Sequence, residues 1–147
     1  MILVFHADKC FMETITFPAQ FSSLASIADA VSQAARTAGL SERAAYAVQL
    51  AVDEACSNII EHGYKGQTDG EIEFRSEKLE DGLRIVLRDQ GLAFDPTRAP
   101  EPDFSVSLEE LQLRGAGLVM MQRAVDELRF QVLPEGINEL TLIKRAA

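Results

Sequence analysis

The chain has 147 residues, 47% of them hydrophobic and 25% charged, and it carries a formal net charge of −9. This length suits one domain, and the apolar content is enough to bury a core without disulfides or structural metals. The negative charge argues against direct nucleic-acid binding, because surfaces that bind the phosphate backbone are basic.

The cysteines and the apolar segments indicate the compartment. Cys10 and Cys56 form no CxxC pair, which argues against a zinc site and favours a reducing environment. The apolar start at residues 1–5 is too short for a signal peptide. No segment approaches the ~20 apolar residues of a membrane-spanning helix. We therefore expect a cytoplasmic protein that does not contact a membrane.

The first half of the chain predicts one strand and two helices. Residues 10–17 alternate loosely between apolar and polar side chains and predict a strand. Residues 21–38 carry apolar side chains at helical spacing, and Gly39 supplies a C-terminal stop. Ser41 is a good N-cap for a second helix over residues 42–61.

The second half changes to a period of two residues. Residues 71–75 alternate strictly, and residues 83–88 form a partner strand after the turn signal Asp81-Gly82. There follow weak helical character at residues 107–111, a helix over residues 117–128, and strands over residues 130–133 and 139–143. This order predicts a single α+β domain over residues 1–147. It would be a two-layer α/β sandwich with a mostly antiparallel mixed sheet and helices on one face.

Three polar residues on the second helix are each separated by four positions. Glu54, Asn58 and His62 therefore share one stripe of that helix. Asparagine is a poor residue for a helix interior, and its amide oxygen is a suitable ligand for Mg²⁺. Glu54, one turn earlier, is placed to act as a general base beside a phosphate. The alternative is that Asn58 is a helix-surface residue and Glu54 a solvated charge.

Asp89 ends a strong predicted strand and is followed by Gly91. A carboxylate can accept a hydrogen bond from an exocyclic amine, and a glycine lets the backbone approach a flat ring closely. The alternative is an ordinary Asp-x-Gly turn.

A pair of glycines precedes the third predicted helix. Gly115 and Gly117 leave free N–H groups at the positive end of the helix dipole, where Arg114 could add charge for a phosphate. The segment is not a Walker A loop, because it lacks Gly-Lys-Ser/Thr. The alternative is a flexible hinge with a helix cap.

In this order, the three motifs resemble those of the GHKL ATPase superfamily, and most closely those of the stand-alone anti-sigma-factor serine kinases. Those proteins carry Glu-x-x-x-Asn, then Asp-x-Gly-x-x-Phe, then Arg-Gly-x-Gly-Leu. Here the motifs span residues 54–58, 89–94 and 114–118, and the likeness continues through residues 138–144. The resemblance implies the Bergerat-type ATP-binding fold.

The resemblance also implies residue roles at a Mg-ATP site. Asn58 would ligate Mg²⁺, Glu54 would be the catalytic base, and Asp89 would bind the adenine amino group. Residues 95–113 would form a lid over the ATP. The other expected nucleotide contacts are His62 and Lys65 at the rim, Gly91 and Phe94 near the base, and Arg114, Gly115, Gly117 and Leu118 at the phosphates.

By the same resemblance, the chain is expected to be a serine/threonine kinase and anti-sigma regulator. It would phosphorylate an anti-anti-sigma (STAS) antagonist, bind a sigma factor and form a homodimer. The alternative function is an ATP-binding switch without appreciable kinase activity. A third reading is an ATP-binding domain of a two-component pathway, but the chain shows no phosphoacceptor-histidine helix domain.

Overall fold

The computed structural model describes residues 12–67, 69–98, 105–113 and 116–147. These residues contain five β-strands and four α-helices. In chain order they are β1 (Met12–Pro18), α1 (Leu24–Thr37), α2 (Glu42–Asn58), β2 (Glu71–Leu79), β3 (Gly82–Asp89), α3 (Leu108–Leu113), α4 (Gly117–Ala124), β4 (Glu127–Leu133) and β5 (Ile137–Arg145).

The sheet has the strand order β1-β2-β3-β5-β4, and each neighbouring pair is antiparallel. Side chains on one face of the sheet are buried in the core that the helices cover, for example Phe74, Leu87 and Leu140. The alternate residues carry charge, and Arg88 on β3 bonds Glu139 on β5. The predicted α+β architecture is confirmed, although the prediction also allowed some parallel pairing.

The predicted start of α2 is confirmed in detail. The hydroxyl oxygen of Ser41 accepts a hydrogen bond from the Ala44 N–H at 3.1 Å, as an N-cap does. Gly39, which ends the preceding helix, has a φ of +75°, a conformation that favours glycine. In the described part of the chain, α2 is buried against both α1 and α4, and no helix is long and apolar enough to cross a membrane.

The predicted C-terminus of the third helix is wrong. α4 ends at Ala124, and Val125 is already extended, with φ −115° and ψ 162°. Leu128, the last residue of the predicted helix, pairs instead with Leu142 of β5. Sheet pairing therefore overrides the helical spacing of this apolar side chain. Cys10, the predicted start of the first strand, lies outside the described residues.

A π-helical turn, Ile59–Gly63, follows α2 without interruption. Its wider spacing is seen where the Tyr64 N–H donates to the Ile59 carbonyl at 2.9 Å. The turn brings Gly63 and Tyr64 to the end of β3.

Candidate functional site

The carboxylate of Asp89 is buried at the end of β3, where it is 8% exposed. Its Oδ1 atom accepts hydrogen bonds from the Gly91 N–H at 2.8 Å and from the Asn138 amide at 3.0 Å. Its Oδ2 atom accepts none from the described residues. One carboxylate oxygen is thus held by the protein and the other is available to a ligand.

Burial raises the pKa of Asp89, while the hydrogen bonds from Asn138 and Gly91 oppose that rise. Two donors on one oxygen favour the ionised carboxylate. An ionised acceptor in an apolar wall binds an exocyclic amine more strongly than it would in water. The environment of Asp89 is therefore suited to accepting a hydrogen bond from an amino group on a flat ring.

Asn138 is a site residue that the sequence did not reveal. It lies opposite Asp89 in the pairing of β3 with β5, and its amide also donates to the Gly91 carbonyl at 2.9 Å. Both partner atoms are acceptors, so the amide orientation is determined. The sequence shows an asparagine two residues before Leu140, whose side chain faces the core. β3 and β5 are not joined as a hairpin, so their pairing could not be predicted from neighbouring residues.

A narrow cleft that is open to solvent lies between the end of α2 and the sheet. Its walls are mostly apolar, and Asp89, Asn138 and Asn58 supply the polar side chains. This combination is typical of small-molecule sites. The remaining lining residues are Ala55, Ile59, Gly63, Leu92, Phe94, Pro96, Met121, Phe130 and Leu140.

Asn58 links this cleft to Glu54. The Asn58 side chain lines the cleft and lies close to the Glu54 carboxylate. Only the amide nitrogen can donate to a carboxylate, so an amide turned toward Glu54 leaves its oxygen for another partner. Burial raises the pKa of Glu54, and the nearby amide of Asn58 opposes that rise.

The carboxylate of Glu54 also lies against Gly117, the first residue of α4. A Cβ atom at Gly117 would overlap that carboxylate. The N-cap residue Ala116 makes no side-chain cap, so the first turn of α4 presents N–H groups without intrahelical acceptors. The structure therefore brings the Glu54–Asn58 motif and the second glycine of the third motif together.

Gly91 is required by a close approach of two backbone segments. A Cβ atom there would lie 2.6 Å from the carbonyl carbon of Gly63. The Leu92 N–H donates to the Gly63 carbonyl at 2.9 Å. Because Gly91 has no side chain, the backbone of the π turn can pack against it. The sequence had suggested that this glycine lets a flat ligand ring approach the backbone.

The remaining predicted contacts lie around the rim. The rings of His62 and Phe94 stack with centroids 5.9 Å apart and planes inclined by 20°. Lys65 is exposed beside a shallow groove, and Leu118 is partly buried against the core. Arg114 and Gly115 lie outside the described residues, so their phosphate contacts stay predictions, as does the lid over residues 95–113.

The fold and this cleft together define a nucleotide-binding domain of the α+β type. The histidine kinase-like ATPase domain matches residues 17–144 of the chain. The chain belongs to this family, which confirms the resemblance drawn from the three motifs.

Curated relatives are protein kinases. The chain is 35% identical over 91 residues to the serine-protein kinase RsbW of Bacillus licheniformis, which covers 58% of this chain and 56% of that protein. It is 31% identical over 107 residues to the serine/threonine-protein kinase BtrW of Bordetella bronchiseptica, which covers 73% of this chain and 75% of that protein. The chain spans a little over half the length of the Bacillus relatives.

Two solved structures share the fold. A Mycobacterium tuberculosis protein with RsbU and RsbW domains superposes with a TM-score of 0.62 and 18% identity, over 91% of this chain and 31% of that one. A histidine kinase domain from Erythrobacter litoralis superposes with a TM-score of 0.52 and 16% identity, over 88% of this chain and 62% of that one.

Proposed function

We propose that the chain binds Mg-ATP in the cleft and transfers the γ-phosphate to a serine or threonine hydroxyl of a partner protein. The observation that carries this proposal is the placement of the Glu54 carboxylate against the first residue of α4. Asp89 and Asn58 line the cleft, and Asn58 lies beside Glu54. The cleft would thus offer an acceptor for the nucleobase and a metal ligand, and Glu54 would lie beside it as the general base.

The residues present fit an adenine nucleotide. Asp89 Oδ2 would accept the exocyclic amine, and the apolar walls would cover the ring faces. The first turn of α4 offers N–H donors to phosphate oxygens. The phosphate contacts of Arg114 and Gly115 remain part of this proposal.

The residues also fit a magnesium ion that is bound mainly through the nucleotide. The amide oxygen of Asn58 would be the protein ligand. Among the described residues no group of three or more His, Cys, Asp or Glu could hold a metal, so phosphate and water oxygens would complete the coordination. When bound, Mg²⁺ neutralises charge on the phosphates.

Glu54 would act on the protein substrate. Its carboxylate would accept the proton of the attacking hydroxyl, whose oxygen forms the new bond to the γ-phosphorus as the bond to ADP breaks. A raised pKa suits this role, because it brings the carboxylate closer to the operating pH.

The partners in this proposal follow from kinship with the serine-protein kinases. They are a STAS-domain antagonist as the phosphorylated protein, a sigma factor as the regulated one, and a second copy of the chain in a homodimer. Action on a sigma factor would place the protein in the cytoplasm.

Labelled ATP tests the proposal directly. The chain is incubated with Mg-[γ-³²P]ATP and purified STAS proteins, and the label is located by phosphopeptide mapping. We expect label on a serine or threonine, and we expect Glu54→Gln to bind ATP while losing at least about 100-fold in transfer rate. Tight binding without transfer by the unaltered chain would support the ATP-binding switch instead. Unchanged transfer by Glu54→Gln would remove Glu54 as the base.

A further inference from the structure

Tyr64, the residue after the π turn, joins three segments of the chain. Its hydroxyl donates to the Glu71 carbonyl at 2.8 Å and accepts from the Gln90 N–H at 2.8 Å. Its own N–H donates to the Ile59 carbonyl at 2.9 Å. The side chain therefore connects the end of α2, the start of β2 and the loop after β3.

The ring of Tyr64 also contacts the chain. It packs against Gly70, where a Cβ atom would lie 2.5 Å from a ring carbon. The ring thus occupies the space that any larger residue at position 70 would need. Tyr64 therefore makes contacts through its backbone, its ring and its hydroxyl.

Three successive N–H groups of the loop after β3 each donate a hydrogen bond. The Gln90 N–H bonds Tyr64, the Gly91 N–H bonds Asp89, and the Leu92 N–H bonds Gly63. Gly63 and Tyr64 are adjacent in sequence, so one short segment holds this loop on both sides of Gly91.

This arrangement sets one dimension of the cleft. Gly63 lines one wall and Asp89 lies within the same cleft. A Cβ atom at Gly63 would be only 3.8 Å from Asp89 Oδ1. The distance between the π turn and Asp89 therefore depends on the contacts that Gly63 and Tyr64 make with the loop.

We propose that Tyr64 is a positioning residue that determines selectivity for the adenine base, by holding the Asp89 loop at a set distance from the π turn. The inference rests on the proposed function, that an adenine nucleotide fills the cleft. Adenine presents an amine to Asp89, whereas guanine presents a carbonyl oxygen that a carboxylate repels. A loop held by Tyr64 keeps Asp89 in place, and a loosened loop lets the carboxylate turn away from guanine.

The test compares Tyr64→Phe with Tyr46→Phe, since the chain has two tyrosines. Tyr64→Phe keeps the ring against Gly70 and removes only the hydroxyl. Tyr46 is 44% exposed on α2 and makes no bond to the Asp89 loop, so its variant controls for the loss of a tyrosine hydroxyl. Binding of Mg-ATP, Mg-GTP and inorganic Mg-tripolyphosphate is measured by calorimetry.

We expect Tyr64→Phe to lower the ratio of ATP to GTP affinity by about fivefold, the usual effect of one hydrogen bond. Tripolyphosphate binding and the Tyr46→Phe ratio should not change. Gly70→Ala, which displaces the ring from outside the cleft, should lower the same ratio and serves if Tyr64→Phe folds poorly. A ratio unchanged in both variants, or an equal loss for all three ligands, would overturn the inference. Failure of the unaltered chain to bind ATP would instead refute the proposed function.

Discussion

A methyl group added at Gly117 would overlap the carboxylate of Glu54. In Gly117→Ala that carboxylate must swing aside. Forcing the end of a flexible side chain out of its preferred conformation costs about 0.5–1.5 kcal/mol. Alanine recovers at most about 1 kcal/mol of helix propensity. We therefore expect the free energy of unfolding to fall by no more than about 1.5 kcal/mol.

A double-mutant cycle isolates this contact from other effects. In a Glu54→Ala background the carboxylate is gone, so Gly117→Ala should be neutral or slightly stabilising. Urea unfolding of the four proteins without nucleotide measures the coupling, expected at about 0.5–1.5 kcal/mol because the propensity gain cancels between the two backgrounds. Gly39→Ala is the matched control, because nothing lies within 4 Å of the added atom and its φ is +75°. Its cost is backbone strain and should be the same in both backgrounds.

An equal cost of Gly117→Ala with and without Glu54 would refute the contact. The placement of the base beside α4 would then be wrong, and with it the observation that carries the proposed function. A coupling of the expected size should be accompanied by loss of phosphoryl transfer in Gly117→Ala, since the base has been displaced.

Two further substitutions test the two ends of the cleft. Asp89→Asn replaces a carboxylate by an amide and should reduce the preference for ATP over GTP by about tenfold or more; a retained preference would remove Asp89 from base recognition. Because the pKa of Asp89 is raised, the folded chain binds this proton more tightly than the unfolded chain, so stability falls as pH rises above the ordinary carboxyl value of 3.8. Urea titrations across that range should show a smaller fall in Asp89→Asn, and an equal fall would contradict the raised pKa. Asn58→Ala should weaken Mg-ATP binding about tenfold more than ATP binding in EDTA, and an equal loss in both would assign Asn58 a structural role.

Local signals were sufficient for much of the secondary structure. The Ser41 cap and the stop at Gly39 depend on residues within one turn of the helix end. The Asp81-Gly82 turn joins two strands that pair as neighbours. Such features are set by backbone conformation and by hydrogen bonds between residues close in sequence, and for that reason they can be read without a structure.

The end of α4 could not be predicted in this way. Leu128 continues an apolar spacing that suits a helix, but in the structure it lies in β4 beside β5. The competition was decided by pairing with a strand that comes later in the chain. Propensity is a weak preference, and burial against a sheet outweighs it.

The order of the three motifs in the sequence determined the family and the nucleotide class of this protein. The tertiary structure decided how those motifs meet. Asn138 donates a hydrogen bond to Asp89 from 49 residues away, and the Glu54 carboxylate lies against Gly117. The Tyr64 hydroxyl accepts a hydrogen bond from the loop that follows Asp89. The physical reason is that each contact joins segments whose proximity comes from sheet pairing and helix packing. Side-chain chemistry can be read residue by residue, whereas the distance between two such side chains exists only in the folded chain.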